Sequence, residues 1–241
     1  MKENKMGVME MKKLILTMSF PIMISMLVQA LYNIIDSMFV ARVSEAALAA
    51  VSLCYPVQMI LIAVACGTGV GVNALLSRYL GEKKYKEANQ IALHGLFLAI
   101  CNWLIFAVLG MFFSETFLRI FSSDEQILQM GISYMKICTL FSFGVFIQIT
   151  YERIMQSTGN TIYNMIIQGV GALINIILDP IFIFGYFGLP AFGVKGAAIA
   201  TVIGQMIAMM LGIIITQKKI KEVKIHPKEW KLDIKMIGKM Y

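Results

Sequence analysis

The sequence predicts an all-α membrane protein of six transmembrane helices followed by a short basic tail. Three observations predict it. Of 241 residues, 59% are hydrophobic and only 15% charged, with mean hydropathy +0.76, whereas soluble domains carry about 25% charged residues. The apolar residues fall into six runs, each meeting the ~20 residues that a ~30 Å hydrocarbon core requires. Nearly all the charge lies between those runs, which leave no room for a soluble domain of useful size. The net charge of +7 therefore reads as topology and not as a nucleic-acid surface.

Lys2, Lys5, Lys12 and Lys13 precede a first run from Leu14 to Val40, too long for the h-region of a cleaved signal peptide. Within it Ser25, Gln29, Asn33 and Asp36 recur at helical spacing, and Pro21 offers a bend point. After the turn 41–45, a second span covers about 46–77, with Pro56 and a Gly-rich stretch from Gly67 to Gly71. Residues 78–89 read as a solvated loop or interfacial helix, about 91–113 as the third span, and 114–130 as an exposed connection. A fourth span, about 131–151, ends at Glu152-Arg153, and the Gly159-Asn160 break follows.

The fifth span, 161–187, is the most informative. Asn164, Gln168, Gly171, Asn175 and Asp179 are spaced 4, 3, 4 and 4, so its polar side chains share one helical face. Pro180 follows the acid, removes one backbone hydrogen bond and is expected to bend the helix there. Such a stripe suits the wall of an aqueous cavity, and an intramembrane acid is by default a functional-site hypothesis. A sixth span, about 196–216, carries Thr201 and Gln205 one turn apart. Residues 217–241 are basic and amphipathic. Cys54, Cys66, Cys101 and Cys138 sit inside apolar runs without metal-type spacing, and His94 and His226 are isolated.

Four Lys or Arg before the first span, four in 78–89, Arg153 and eight after the sixth span share one side of the membrane. Only Arg42, Arg119, Lys136 and Lys195 fall on the other. The positive-inside rule then places both chain ends in the cytoplasm of a multi-pass cell-membrane protein. Asp36, Asn175, Asp179 and Thr201 all fall in the outward half, on three different spans. A carboxylate buried there costs several kcal/mol unless paired, protonated or wet. Two such acids also admit an intramembrane aspartyl protease, but the flanking sequences, Ile-Ile-Asp36 and Ile-Leu-Asp179-Pro180, lack the motifs of those enzymes. The expectation is a protein that is not an enzyme.

Several stretches carry a resemblance: YNIIDSMFVARVSEAALAAVSL (32–53), SRYLGEKKYKEAN (77–89), IMQSTGNT (154–161), LINIILDPIFIFG (173–185) and FGVKGAAIATVIGQ (192–205). Together they resemble the N-terminal half of multidrug and toxic compound extrusion (MATE) transporters. The resemblance implies a twelve-helix, two-lobe architecture of which 1–216 form the N-lobe and 217–241 a cytoplasmic linker toward a second lobe, from a longer chain or a dimer partner. It implies alternating-access export of amphipathic, often cationic, small molecules in exchange for H⁺ or Na⁺, with no other cofactor. It maps the cation or proton site, including any Na⁺, onto Asp36, Asn175, Asp179 and Thr201, and a hinge onto Pro21, beside the Pro180 bend read above. Gln29, Asn33, Gln168 and Gln205 are the expected cavity-lining side chains. Ala41, Ser44, Asn164 and Lys195 depart from the family's usual residues, away from the proposed site. The alternative within the same superfamily is a lipid-linked saccharide flippase, which clusters of Arg and Lys in the cavity stripe would favour; the stripe shows none.

Overall fold

A run of apolar residues in lipid must satisfy every backbone group internally, so helices are its outcome. The structure, a computed structural model, describes residues 5–220, 222–225, 232–238 and 240. Its α-helices are α1 (Lys5–Val8), α2 (Met11–Ala41), α3 (Glu45–Gly81), α4 (Tyr85–Phe121), α5 (Glu125–Leu140), α6 (Phe143–Ser157), α7 (Thr161–Phe184), α8 (Val194–Lys219) and α9 (Ile234–Gly238). Helices α2, α3, α4, α7 and α8 are each long and apolar enough to cross a membrane. α5 and α6 supply a sixth span, bent by 45° at its break.

The helices outrun the apolar runs. α3 and α4 have 37 residues each, about 56 Å at the α-helical rise, so their ends project beyond the hydrocarbon. Segments 78–89 and 114–130 are therefore mostly helix, and the connections shrink to residues 82–84 and 122–124. Caps mark those ends: Ser44 Oγ accepts from the Ala47 amide, and an Asp124 carboxylate oxygen accepts from Gln126 and Ile127. Gly185 ends α7 in the left-handed conformation (φ 77°), where a Cβ would lie 2.6 Å from the Leu189 carbonyl oxygen.

The fourth span departs from its expected form. Instead of one helix ending near 151, it breaks at Phe141–Ser142 and runs on to Ser157. The Trp103 indole N–H donates to the Leu140 carbonyl at 2.9 Å, satisfying a group at the break. Helix α2 continues through Pro21 and α7 through Pro180.

The core forms three layers. One gathers Leu76, Ala88, Ile154 and Ile167 near the turns 82–84 and 158–160, and Ile220, Val223 and Met240 of the tail join it. This is the basic end. The opposite layer holds Val40, Ala47, Leu118, Leu128, Ile183 and Val194, where the turns 42–44, 122–124 and 185–193 meet. Leu61, Ala65, Ala99, Phe146 and Ile149 lie in a further cluster. α2 exposes Leu16, Phe20, Met23, Leu27, Leu31, Ile34 and Met38 along one stripe while burying Pro21, Ser25, Asp36 and Val40. Without a hydrophobic drive between helices in lipid, close packing of small residues holds them. α7 and α8 show it: a Cβ on Gly204 would lie 2.9 Å from the Gly171 carbonyl oxygen.

The tail is not free. Asn89 Oδ1 accepts from the Lys224 amide at 2.8 Å, and the buried His94 accepts at Nε2 from the Asp233 amide at 2.9 Å. His226 and the rest of 226–231 lie outside the described residues.

Candidate functional site

The Gly171–Gly204 approach sets the geometry of the site. It brings α7 and α8 together one turn below Asn175 and one turn beyond Thr201, so the Asn175 amide meets the Thr201 hydroxyl at 3.3 Å. α2 packs along the same face of α7 and delivers Asp36. Asp36 and Thr201 are each 8% exposed, Asn175 3% and Asp179 0%. The Asp36 and Asp179 carboxyls face each other within hydrogen-bonding reach, and a direct bond between two carboxyl groups requires a proton between them. The structure thus brings all four residues into one cluster between α2, α7 and α8.

The Asn175 amide joins α7 to α8: its Nδ2 donates to Asp179 Oδ2 at 3.0 Å while its oxygen accepts from the Thr201 amide at 3.1 Å and the Thr201 hydroxyl at 3.3 Å. Asp36 Oδ1 and Asp179 Oδ1 are buried without a hydrogen-bond partner. Two carboxyls, a hydroxyl and an amide oxygen are hard oxygen donors, a set that fits a proton or a hard cation such as Na⁺.

Two adjoining cavities open beside the cluster. The smaller, about 90 Å³, is lined by Asp36, Asn33 and Thr201. The larger, about 390 Å³, is lined by Asn175, Gln168 and Thr201. Gln29 and Gln205 line both. Tyr32, Tyr55, Gln58 and Tyr134 complete the polar wall of the smaller one, with Gln58 Nε2 donating to the Tyr134 hydroxyl at 3.1 Å. Sequence reasoning passed over these four. The available signal was spacing, since Tyr32 lies one helical turn before Asp36.

Sequence reasoning also misread Glu152 and Arg153, taken as the polar end of the fourth span. Glu152 is 7% exposed. Its Oε1 accepts from Gln148 Nε2 at 2.9 Å and its Oε2 from Gln168 Nε2 at 3.3 Å. Asn164 donates to its backbone carbonyl at 3.1 Å. Arg153 is half-buried in the wall of the larger cavity, with Nη1 donating to Gln156 at 2.7 Å. The correction has a physical reason: α6 continues to Ser157, so both residues are helix interior and not loop.

Six membrane-length spans thus enclose paired acids and amide-lined cavities. The MatE family model matches residues 21–181, well over half of the chain. The chain is 29% identical over 199 residues to a FAD transporter of Shewanella oneidensis, covering 83% of this chain and 44% of that protein. It is 27% identical over 230 residues to the probable multidrug resistance protein NorM of Thermotoga maritima, covering 94% of this chain and 49% of that one. A solved structure described as the outward-facing conformation of a multidrug resistance MATE family transporter superposes with TM-score 0.89 at 27% identity, over 100% of this chain and 52% of that one. The chain belongs to the MATE family, and it spans about half the length of the relatives it matches.

Proposed function

We propose that this chain is the N-lobe of a cation-coupled antiporter that exports amphipathic organic compounds by alternating access. The carrying observation is the facing pair of carboxyls, Asp36 and Asp179, on two different helices, buried beside cavities. A proton held between the acids ties α2 to α7. Removing it leaves two carboxylates side by side, which repel. Protonation therefore favours the conformation in which the helices are joined, and the coupling equals the difference in proton affinity between facing states. Asn175 links Asp179 to Thr201 on α8, and Pro21 gives α2 a place to bend. The cleft is completed by a second lobe, from a longer chain or a second copy.

In cells expressing the transporter that carries this lobe, Asp36→Asn and Asp179→Asn each abolish proton-driven ethidium export while membrane expression persists. Wild-type export by both variants removes the coupling site from this cluster. For orientation, a cysteine introduced at Lys84 is labelled from the cytoplasm only; labelling by an impermeant external reagent inverts the topology.

A further inference from the structure

We propose that the lobe carries a second cation-recognition site, centred on Glu152, that takes the charged head of an amphipathic organic cation. The proposal rests on the exporter reading above and deepens it by naming a recognition residue. Gln168 touches Glu152 and lies eleven residues before Asp179 on α7, about 16 Å along the helix. The two sites are therefore separate.

Both carboxyl oxygens of Glu152 accept from glutamine N–H groups, which is the hydrogen bonding of a carboxylate. Among the described residues its charge has no cation within ion-pair distance: the ion pairs join Arg78 and Lys84 to Glu82, and Arg119 to Glu115 and Glu125, all at the surface. Arg153 is next in sequence, yet its guanidinium donates to Gln156 and Cys66. An anion held by neutral donors, with Arg153 acting on it only from beyond ion-pair distance, is an incomplete arrangement that a further cation completes. The space for that cation is the adjoining cavity, about 390 Å³, within the size range of small-molecule pockets. Ile22, Met26, Ile149, Ala172 and Ala208 line it, an apolar surface for the body of the ligand, with Met26 adaptable in shape. Glu152 at the basic end, with the Arg153 guanidinium turned to Gln156 and Cys66, and an apolar wall beyond it match an aromatic cation.

The test uses ethidium with the purified 241-residue chain in lipid nanodiscs. Glu152→Gln keeps the shape and removes the charge, and it weakens ethidium binding roughly 10-fold to 100-fold, while Glu152→Asp retains part of it. Unchanged binding by Glu152→Gln overturns the proposal and leaves the exporter reading standing, since that reading is tested separately by export in the Asp36 and Asp179 variants. Where Glu152→Gln fails to fold, the unaltered chain decides. Cys66 lines the same cavity, so bound ethidium slows its alkylation, read residue by residue by mass spectrometry. No protection of Cys66 by ethidium, or protection by FAD in its place through Arg153, assigns the cavity to another ligand class and overturns the proposal.

Discussion

Asp36–Asp179 and Glu152 are two solutions to the same difficulty, an acid inside a membrane lobe. Near one end an acid from α2 faces an acid from α7, and a proton placed between them joins the two helices. Near the other, Glu152 on α6 is held by Gln148 on its own helix and Gln168 on α7, with no second acid beside it. The first arrangement changes when a proton enters or leaves, so it suits coupling. The second is held by neutral donors and suits recognition.

The largest effect expected from this contrast is non-additivity at the pair. Because the shared proton needs both carboxyls, Asp36→Asn, Asp179→Asn and their combination lose proton-driven export to the same extent. At the separate site, Glu152→Gln weakens ethidium binding by the purified chain, and Asp179→Asn leaves that binding unchanged. Residual proton-driven export in either single variant that the double variant lacks means that the two acids act separately.

The legibility of the two sites follows the same line. Asp36 and Asp179 interrupt apolar runs, so each stands out against its own span, and the stripe from Asn164 to Asp179 showed which face of α7 looks inward. Glu152 sits beside Arg153 where an apolar run ends, and a charge at that place reads as a boundary. Only the continuation of α6 to Ser157 moves it inside. Helix ends were misjudged for a related reason. Hydropathy registers the hydrocarbon, whereas α3 and α4 extend beyond it through segments such as Tyr85–Asn89 that are polar and helical. The break at Phe141–Ser142 was invisible because no proline marks it; the Trp103 contact that satisfies Leu140 comes from another helix. The juxtaposition of Asn175 with Thr201 likewise depends on Gly171 and Gly204, two glycines that a span scan treats as filler.

That glycine contact offers a second, smaller test. Gly204→Ala places a methyl against the Gly171 carbonyl and 3.4 Å from the Asn175 Cβ, so α8 must move away from α7. Overpacking of this kind costs roughly 1–3 kcal/mol. The expected outcome is a lower unfolding temperature in detergent together with impaired coupling, because Asn175 and Thr201 separate. At Glu152 the same change has little effect, since its partners are on α6 and α7. Unchanged coupling in Gly204→Ala shows that the Asn175–Thr201 contact is dispensable.

The smallest effect comes from a third kind of acid, one held by cations in water. Glu82 lies in the turn between α3 and α4, and its carboxylate accepts from Lys84 Nζ at 2.7 Å and Arg78 Nε at 3.0 Å. The Lys84 hydrogen bond first, and the Arg78 one second, hold its carboxyl below the ordinary value of 4.5. A carboxyl lowered in the folded state contributes stability that is complete above its unfolded value and fades as pH falls through the folded one. The contribution of Glu82 is therefore complete at neutral pH and fades as pH falls below about 4.5 toward the lower folded value. Exposed pairs of this type are screened by salt and weak. Glu82→Gln should narrow the difference in unfolding temperature between pH 6 and pH 3.5 slightly at low salt and not detectably at high salt. A large, salt-resistant change means that the 82–84 turn contributes more to holding α3 against α4 than two surface pairs can supply. The neighbouring Glu87, on the first turn of α4, is the residue to vary next in that event.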